Sequence, residues 1–407
     1  MHVLLIHQAF AAIDEGGGTR HYELARYLIR QGHQFTIITS PISYLTGKTT
    51  GSSHKWIDRQ HPIEGMTIIT CYTYPALHKS FFHRLINFIS FMVSSTIAGV
   101  GVKHVDLVWG TSPPIFQAVT AWLLARLKSV PFLFEVRDLW PEFAISVGVL
   151  KNKIIIHASE WLEKFLYTHA DHVMVNSPGY IEHVKHHGAK QVSLVPNGAD
   201  PDMFPQDSNG EHFRQRYQLE QKFLVTYAGA HGVSNDLGIV LEAANLLRQA
   251  DGIQFIFMGD GKDKPALQQQ AQEMRLTNVT FLPTLPKMEM AEALAASNAC
   301  IAILKPIESF TKTFPNKVFD YMAAGRPVIL AIDGVIRKVV EDANGGIPVS
   351  PGSAKELAEA VKYLSNNSER AWQMGASGRE YLIKNFNRQD LANQLAGILE
   401  MMLRRKL

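Results

Sequence analysis

Short apolar runs alternate with longer stretches of helical hydrophobic spacing along almost the whole chain. In the first half, the runs HVLLIH, QFTIIT, DLVWG, FLFEV and HVMVN alternate with amphipathic stretches such as residues 19–31 and 115–127. Apolar runs of this length predict buried strands, and the amphipathic stretches between them predict helices that connect the strands. The alternation therefore predicts parallel βαβ units and an α/β fold class.

The alternation starts again after a polar stretch at residues 201–221, which we interpret as an inter-domain linker. The second series contains the runs FLVTYAG, QFIFMGDG, VTFLP, ACIAIL and PVILAI, again separated by helical spacing. At 407 residues the chain is longer than the size at which a single core usually stops growing. We therefore predict two doubly wound, Rossmann-like domains, residues 1–205 and 206–386, with an amphipathic helix at 387–407 that returns to the first domain. Since ligands of open parallel sheets bind beyond the carboxyl ends of the strands, we expect the two domains to face a shared cleft.

The composition is that of a soluble globular enzyme. With 46% hydrophobic and 19% charged residues, it excludes a disordered chain and a multi-span membrane protein. The net charge of +3 is too small to indicate nucleic acid as a partner. Cys71 and Cys300 lie in predicted strands without a second thiol at metal-binding spacing. The first run, MHVLLIHQAF, has no basic leader, which favours a buried strand over a signal peptide and predicts a cytoplasmic protein.

An uncharged segment at residues 85–102, LINFISFMVSSTIAGVGV, reaches the lower length limit for crossing a bilayer. Its serines, asparagine and glycines fit a helix that packs on a sheet better than they fit a membrane span. The aromatic residues around Arg84 leave open a peripheral contact with the inner face of the plasma membrane.

Three glycines follow the first predicted strand, in the segment AAIDEGGGTRHYELARYL. Gly16, Gly17 and Gly18 let the backbone approach a ligand closely and direct N–H groups at an anion. The spacing is neither GxGxxG nor a P-loop, so it does not indicate a nicotinamide cofactor. The alternative interpretation is a loop before a helix cap.

A charged pair and an aromatic residue follow the run FLFEV. The segment RDLWPE places Arg137, Asp138 and Trp140 at the end of a predicted strand. A carboxylate accepts sugar hydroxyls, and sugars stack on aromatic rings. The position after a strand favours this binding role over a structural Arg–Asp pair.

Glycines and one cation recur after successive strands of the predicted second domain. Gly229 and His231 lie in YAGAHG, Gly259 lies in GDG, and Lys305 ends ACIAILK. Together they would line one edge of the sheet with backbone donors and a positive charge. His231 is a candidate phosphate contact, although a packing or capping role is equally open.

The segment FPNKVFDYMAAGRPV, residues 314–328, combines a cation and a carboxylate at the start of a predicted helix. Lys317 and Asp320 are three residues apart and share a helix face. The free N–H groups and the positive dipole end of the first turn favour an anion. The segment therefore suits a nucleotide-sugar, and the alternative is a capped surface helix with a weak Lys–Asp pair.

These motifs together resemble the retaining glycosyltransferases of family four, which have the GT-B fold of two Rossmann-like domains. The resemblance covers essentially the whole chain and rests on EGGGTRHYELARYLIRQGHQFTIIT, TSPP, FEVRDLWPE, VPNGAD and PNKVFDYMAAGRPV. Within the family, the chain is most similar to the bacterial O-antigen and capsule branch, including L-fucosamine transferases. The resemblance implies transfer of a sugar, such as an N-acetylated deoxyhexosamine, with retention. The donor would be a nucleoside-diphosphate sugar, with UDP as the favoured carrier, and the acceptor a lipid-linked saccharide, with neither a cofactor nor a metal.

The resemblance also implies roles for individual residues. Asp320 would bind the ribose hydroxyls where the family usually has glutamate, and Lys317 would hold the diphosphate. Arg137, Asp138 and Lys317 are the residues that we assign to catalysis. The full predicted donor site consists of Gly16, Gly17, Gly18, Gly229, His231, Gly259, Lys305, Thr313, Phe314, Pro315, Asn316, Lys317 and Asp320.

Two departures from the family pattern keep other functions open. Lys312 stands where the family has its first glutamate, and AHGVSND lacks the Arg and Lys pair that many members have after this strand. A nucleotide-sugar 2-epimerase of the same fold is one alternative. The other is a catalytically silent nucleotide-sugar-binding subunit of an assembly complex.

Overall fold

A computed structural model describes residues 1–43, 47, 49, 55–75, 81–250 and 252–404 of the chain. The end of the predicted C-terminal helix, residues 405–407, lies outside the described residues. The chain divides into two compact units, which we call unit 1 and unit 2. Unit 1 comprises Met1–Ala11, Thr19–Pro196 and the segment that begins at Gln389. Unit 2 comprises Ala12–Gly18 and Asn197–Arg388, so the main boundary falls at Pro196 rather than at residue 205.

Unit 1 contains, among the described residues, an eight-stranded sheet. Its strands are β1 His2–Ile6, β2 Gln34–Thr39, β3 Ile57–Ile63, β4 Met66–Cys71, β5 Leu107–Ser112, β6 Phe132–Val136, β7 His172–Val175 and β8 Val192–Leu194. They lie in the order β3-β4-β2-β1-β5-β6-β7-β8, and only β3 is antiparallel to its neighbour. The continuous apolar runs of β1, β5 and β6 are buried, as expected for strands that helices cover on both faces.

Helices connect most of these strands. In unit 1 they are α1 Arg20–Arg30, α2 Phe81–Val100, α3 Phe116–Lys128, α4 Glu142–Ser146, α5 Lys153–His169 and α6 Ile181–His186. The strand order reverses direction at β1, whose two neighbours are β2 and β5. In open α/β sheets such a reversal opens a crevice beyond the strand ends, and ligands bind there.

Unit 2 contains a six-stranded, wholly parallel sheet among the described residues. Its strands are β9 Phe223–Ala228, β10 Ile253–Met258, β11 Val279–Leu282, β12 Ala299–Ile303, β13 Val328–Ala331 and β14 Gly346–Pro348. Its helices are α7 Glu211–Arg216, α8 Leu237–Leu246, α9 Lys264–Glu273, α10 Lys287–Ala296, α11 Asn316–Ala323, α12 Val335–Asp342, α13 Ala354–Asn366 and α14 Ser368–Asn385. The last helix of the chain is α15, Arg388–Arg404.

The order of the second sheet, β11-β10-β9-β12-β13-β14, reverses between β9 and β12. The glycine segment YAGAHG begins in β9, and Lys305 follows β12, so both lie at this reversal. The prediction of two doubly wound, Rossmann-like domains is confirmed.

The polar stretch at residues 201–221 is not a linker. Phe204, Phe213 and Leu219 are buried in the core of unit 2. The guanidinium of Arg214 donates to the carbonyl oxygens of Lys222 at 2.9 Å and Ala296 at 2.5 Å, which connects α7 to the residue before β9 and to the end of α10. The linker interpretation was wrong because the apolar side chains that enter the core are too far apart in the sequence to form a recognisable hydrophobic run.

Helix α2 has two different faces. Its buried face includes Phe91 and two serines, and the hydroxyl of Ser94 donates to the carbonyl of Tyr72 at 2.6 Å. Its other face exposes an apolar stripe of Phe82, Ile89, Val93, Ile97 and Val100. The expected packing on the sheet therefore accounts for one face of the helix. Of the helices described, none has both the length and the apolar character required to cross a bilayer.

Replacing Phe213 tests whether residues 201–221 belong to the core. We expect Phe213→Ala to lower the free energy of unfolding by about 3 to 5 kcal/mol, because it removes a buried aromatic ring and leaves a cavity. Trp372→Ala, at a side chain that is 66% exposed, is the matched control and is expected to stay within about 0.5 kcal/mol. Chemical denaturation measures both variants. Equal, small effects would restore the linker interpretation.

Candidate functional site

A buried carboxylate lies near the end of β6 in unit 1. The side chain of Glu135 is fully buried and accepts hydrogen bonds from Arg20 Nε at 3.0 Å and His21 Nε2 at 2.5 Å. The Arg20 guanidinium also donates to the carbonyl oxygens of Val195 at 2.7 Å and Pro196 at 2.6 Å. This cluster connects β6, α1 and the segment after β8.

The charges in this cluster follow from its surroundings. Burial alone would raise the pKa of Glu135, but His21 and Arg20 outweigh burial and hold this pKa well below its usual range. Burial lowers the pKa of His21 to about 4, although Glu135 opposes the shift. At neutral pH we therefore take Glu135 as ionised and His21 as a neutral imidazole that donates its Nε2–H.

A second histidine extends the cluster at the end of β1. The ring of His7 is fully buried, with its centroid 4.3 Å from that of His21, and the His21 ring lies 5.2 Å from Trp109. Burial holds the pKa of His7 well below its usual value. Among the described residues, neither ring nitrogen of His7 has a hydrogen-bond partner. An unpartnered buried polar group costs free energy, so His7 is a candidate binding group.

Arg137 and Asp138 follow β6 as predicted, but they do not form the structural pair that was the alternative. Arg137 donates to the carbonyl oxygens of Ser112 and Pro113, each at 3.2 Å, beyond the end of β5. Asp138 is half-buried, and burial raises the pKa of its carboxyl to about 6 even though Arg137 opposes the shift. Trp140 packs 6.3 Å from the ring of Phe116 on α3.

The glycine loop after β1 belongs to unit 2. A Cβ on Gly16 would lie 2.1 Å from Thr284 Cγ2, and the carbonyl of Ile13 accepts a hydrogen bond from Lys287 N at 3.3 Å. The close approach that requires glycine at position 16 is therefore to the loop after β11. Gly17 and Gly18 are exposed, and a Cβ on Gly18 would meet no atom within 4 Å.

Lys317 lies in the first turn of α11, beside the end of β9. Its ammonium is 2.8 Å from the Tyr227 hydroxyl and 3.4 Å from Asn235 Oδ1, and it lies 4.1 Å from the centroid of the Tyr227 ring. A Cβ on Gly229 would be 3.1 Å from Lys317 Nζ, so glycine there keeps the ammonium accessible. Burial lowers the pKa of Lys317 to about 7.

Asp320 is held by partners other than Lys317. Its Oδ1 accepts a hydrogen bond from Lys287 Nζ at 2.6 Å, and its Oδ2 accepts one from Asn316 Nδ2 at 3.3 Å. Both side chains of the ion pair are largely buried, at 7% exposure for Lys287 and 17% for Asp320. The weak surface Lys–Asp pair that was the alternative is therefore not what the structure shows.

The turn before α11 leaves the start of this helix without a side-chain cap. Pro315 occupies the N-cap position and makes no side-chain capping bond, and its carbonyl accepts a hydrogen bond from Val318 N at 3.2 Å. The N–H groups that precede Val318 in the first turn are the ones that can meet an anion. Phe314 is buried, and its carbonyl accepts a hydrogen bond from Asn197 Nδ2 at 2.7 Å. Thr313 ends the preceding 3-10 turn Glu308–Lys312.

Gly229 and Gly259 bring two loops into direct backbone contact. A Cβ on Gly259 would lie 1.9 Å from the carbonyl oxygen of Gly229, and the φ of Gly259 is +140°. Gly261 approaches the carbonyl oxygen of His231 in the same way, where a Cβ would be 2.4 Å away. The recurring glycines therefore explain how these loops pack together.

His231 is a packing residue in this structure. Its side chain is fully buried, with ring centroids 5.9 Å from Tyr227, 6.3 Å from Phe257 and 6.2 Å from Phe281. Burial lowers its pKa to about 4, with Lys264 and Lys317 adding to the shift. The phosphate contact stays a prediction, because the ring packs among aromatic side chains but, among the described residues, neither of its nitrogens has a hydrogen-bond partner, as in His7.

Lys305 follows β12 and is half-exposed, and its backbone N–H donates to Ser234 O at 2.9 Å. It lies near Asp236, whose pKa burial raises while Lys305 opposes the shift. Lys305 and Lys317 therefore both lie at the strand reversal of unit 2.

Sequence reasoning missed several residues of these clusters. Glu135 was detectable, because a charged residue inside the apolar run FLFEV must be paired when it is buried. Lys287 carried no such signal, since it lies 33 residues from Asp320 and outside every motif.

Comparisons with known proteins agree with this architecture. A family model described as "Glycosyl transferase 4-like domain" matches residues 15–198, and one described as "Glycosyl transferases group 1" matches residues 222–367. A putative colanic acid biosynthesis glycosyl transferase of Escherichia coli (strain K12) is 24% identical over 84% of this chain and 86% of its own length.

Solved structures share the fold. Sucrose-phosphate synthase from Thermosynechococcus elongatus has a TM-score of 0.79 over 99% of both chains, at 19% identity. Anabaena HepE in complex with UDP-glucose has a TM-score of 0.71 over 98% of this chain and all of its own, at 16% identity. At such identities the likeness establishes the shared GT-B fold and nothing finer.

Neutralising Glu135 tests the buried cluster. We expect Glu135→Gln to destabilise the protein by about 3 to 5 kcal/mol, because it leaves Arg20 buried without its carboxylate. Glu359→Gln breaks the exposed pair with Lys355 and is expected to cost less than about 1 kcal/mol. Denaturation of both variants at neutral pH gives the comparison.

The difference in stability between the native protein and Glu135→Gln is expected to depend on pH. The pKa of Glu135 is lowered in the folded state, so its contribution is complete above its usual value of 4.5 and is lost as the pH falls below it. The stability difference between the native protein and Glu135→Gln should therefore shrink in acid. A difference that grows in acid would contradict the assignment of an ionised Glu135.

Proposed function

We propose that this chain, whose two halves match glycosyltransferase family models, transfers a sugar from a nucleoside-diphosphate sugar to a lipid-linked saccharide during surface polysaccharide synthesis. The observation that carries the proposal is Lys317, a partly desolvated ammonium in the first turn of α11 beside Gly229. The name of the E. coli relative, a colanic acid biosynthesis enzyme, supports the choice of pathway class.

Unit 2 holds the donor in this proposal. The diphosphate binds at the uncapped start of α11, where the N–H groups, the helix dipole and Lys317 all favour negative charge. Asp320 accepts a ribose hydroxyl. Lys287 and Asn316 hold that carboxylate in position through their bonds to its two oxygens. A UDP carrier is supported by the UDP-glucose complex of HepE, a protein with the same fold.

Negative charge grows on the leaving diphosphate as the glycosidic bond breaks, and groups that meet this charge lower the barrier. We assign this role to Lys317, with Lys305 as a second cation at the same strand reversal. Transfer with retention and without a divalent metal follows from the family resemblance. An N-acetylated deoxyhexosamine remains the proposed sugar.

Unit 1 binds the acceptor in this proposal. Arg137 and Asp138 lie beyond the ends of β5 and β6, and a carboxyl with a pKa of about 6 can either donate to or accept from a sugar hydroxyl near neutral pH. The exposed apolar stripe of α2 beside Arg84 supports a peripheral contact with the inner face of the membrane, where a lipid-linked acceptor is located.

A catalytically silent donor-binding protein is the second candidate, and Lys312 is the observation that favours it. This residue replaces the glutamate that the family assigns to the transferred sugar. Labelled UDP- and GDP-sugars with a lipid-linked acceptor separate the functions. Transfer supports the main proposal, binding without turnover supports the silent protein, and a changed sugar nucleotide without acceptor supports a 2-epimerase.

Removing the Lys317 ammonium is the direct test of the donor site. We expect Lys317→Ala to lower the transfer rate at least ~100-fold, the scale on which one positioned charge acts. Lys338→Ala, at an exposed lysine of α12, is the matched control and should retain the native rate. Asp320→Ala should chiefly weaken nucleotide binding. Near-native kinetics in Lys317→Ala would refute the assignment.

The lowered pKa of Lys317 predicts how donor affinity depends on pH. The diphosphate favours the ammonium form, so above the free-protein pKa of about 7 binding requires proton uptake. UDP affinity should therefore fall as the pH rises from 7.5 to 9, by up to about tenfold per unit. Calorimetry with Lys317→Arg gives the reference, because arginine stays charged throughout this range. Identical pH profiles would rule out Lys317 as the titrating contact.

A further inference from the structure

Two histidines and a glutamate converge between helices α5 and α6 of unit 1. His183 and His187 are four residues apart and share one face at the end of α6, and their rings stack with centroids 4.1 Å apart. Glu163 projects from α5, and one ligand atom from each of the three side chains lies within 4.8 Å of the others. Two imidazoles and a carboxylate are a donor set that suits Zn²⁺.

The surrounding hydrogen bonds orient this donor set. His183 Nδ1 is 3.1 Å from Glu142 Oε2, and His187 Nδ1 is 2.8 Å from the carbonyl oxygen of His183. The Tyr167 hydroxyl donates to Glu163 Oε1 at 2.9 Å. Histidines that ligate metals usually donate their other ring N–H to a carboxylate or a backbone carbonyl, and ligating carboxylates are themselves hydrogen-bonded. All three side chains have such a partner.

In this arrangement the two Nδ1 atoms act as donors, so each Nε2 is the nitrogen that faces a metal. His183 Nε2 lies 2.9 Å from Glu163 Oε1, and the carboxylate of Glu163 is only 2% exposed. The imidazole of His183 therefore lies between the carboxylates of Glu142 and Glu163.

We propose that Glu163, His183 and His187 form a zinc site, with Glu142 and Tyr167 orienting the ligands. Zn²⁺ takes the place of the direct contact between His183 Nε2 and Glu163 Oε1, and any proton held there passes to the solvent. The Nε2 atom of His187 completes a three-ligand set, and a fourth tetrahedral position is left for water. Zinc bonds of about 2.0 to 2.2 Å place tetrahedral ligand atoms roughly 3.3 Å from one another. The three ligand atoms now lie within 4.8 Å of one another, so they must move closer together to bind zinc. His187, which is half-buried at the end of α6, supplies this movement.

Zinc at this site would join α5 to α6 and would hold α4 through Glu142, its first residue. A ligand that binds only the folded state stabilises it by mass action. We therefore expect zinc to stabilise unit 1, independently of any sugar transfer.

Calorimetric titration of the EDTA-treated full chain with Zn²⁺ alone tests the site. We expect one zinc ion per chain, and we expect His187→Ala to weaken binding by more than the 10- to 100-fold that loss of an orienting group costs. His186→Ala is the matched control, since His186 is the exposed neighbour outside the ligand set, and its affinity should be native. Equal losses in the two variants, or no zinc binding by the native chain, would overturn the proposal.

A melting measurement separates the metal site from misfolding. His187→Ala keeps the Glu142–His183–Glu163 bonds, so its melting temperature in EDTA should lie close to the native value, and only the native chain should melt higher with zinc. Equal zinc-induced shifts in the two proteins would overturn the proposal.

Discussion

The buried carboxylate of Glu135 is the interaction on which the polar end of the first sheet depends. A strand buried on both faces offers no water to an ionised side chain, so its charge requires a partner inside the protein. Arg20 supplies that charge, and its remaining N–H groups satisfy the carbonyl oxygens of Val195 and Pro196. Helix α1, β6 and the chain after β8 are thereby fixed to one another. The orientation of His21, and through it the position of the His7 ring, follows from the same carboxylate.

The buried charged groups of unit 2 have different kinds of partners. Lys317 faces a phenol and an amide rather than a carboxylate, and neither neutralises it. Asp320, one turn later, has Lys287 as an ionic partner. The carboxylate is therefore compensated by an ionic partner, whereas the ammonium is only partly compensated and gains most from an incoming anion. Two charges on one short helix thus have opposite degrees of preorganisation, which suits the proposed donor site, where Asp320 would orient a ribose and Lys317 would respond to a diphosphate.

The fold was predictable because hydrophobic periodicity is a local property, and the continuous apolar runs of both sheets carry it. Lys317 and Asp320 became candidates for a similar reason, since their spacing and the preceding proline are visible within a few residues. Their partners were not, because Tyr227 and Lys287 come close only through the folded topology. The predicted domain boundary was misplaced because of the polar stretch that contains Phe204, Phe213 and Leu219. Isolated apolar residues among polar ones resemble a linker until the surface that buries them is known.

The chain passes between the two units at four places: Ala11/Ala12, Gly18/Thr19, Pro196/Asn197 and Arg388/Gln389. Neither unit is thus a contiguous piece of the gene. A fragment that ends at Pro196 lacks helix α15, including the fully buried Leu395 and Leu399, and a fragment that starts at Asn197 lacks the glycine loop. Expression of isolated halves would thus expose apolar surface by truncation alone. Separating the units experimentally calls for a circularly permuted or spliced gene in which α15 is rejoined to the first unit.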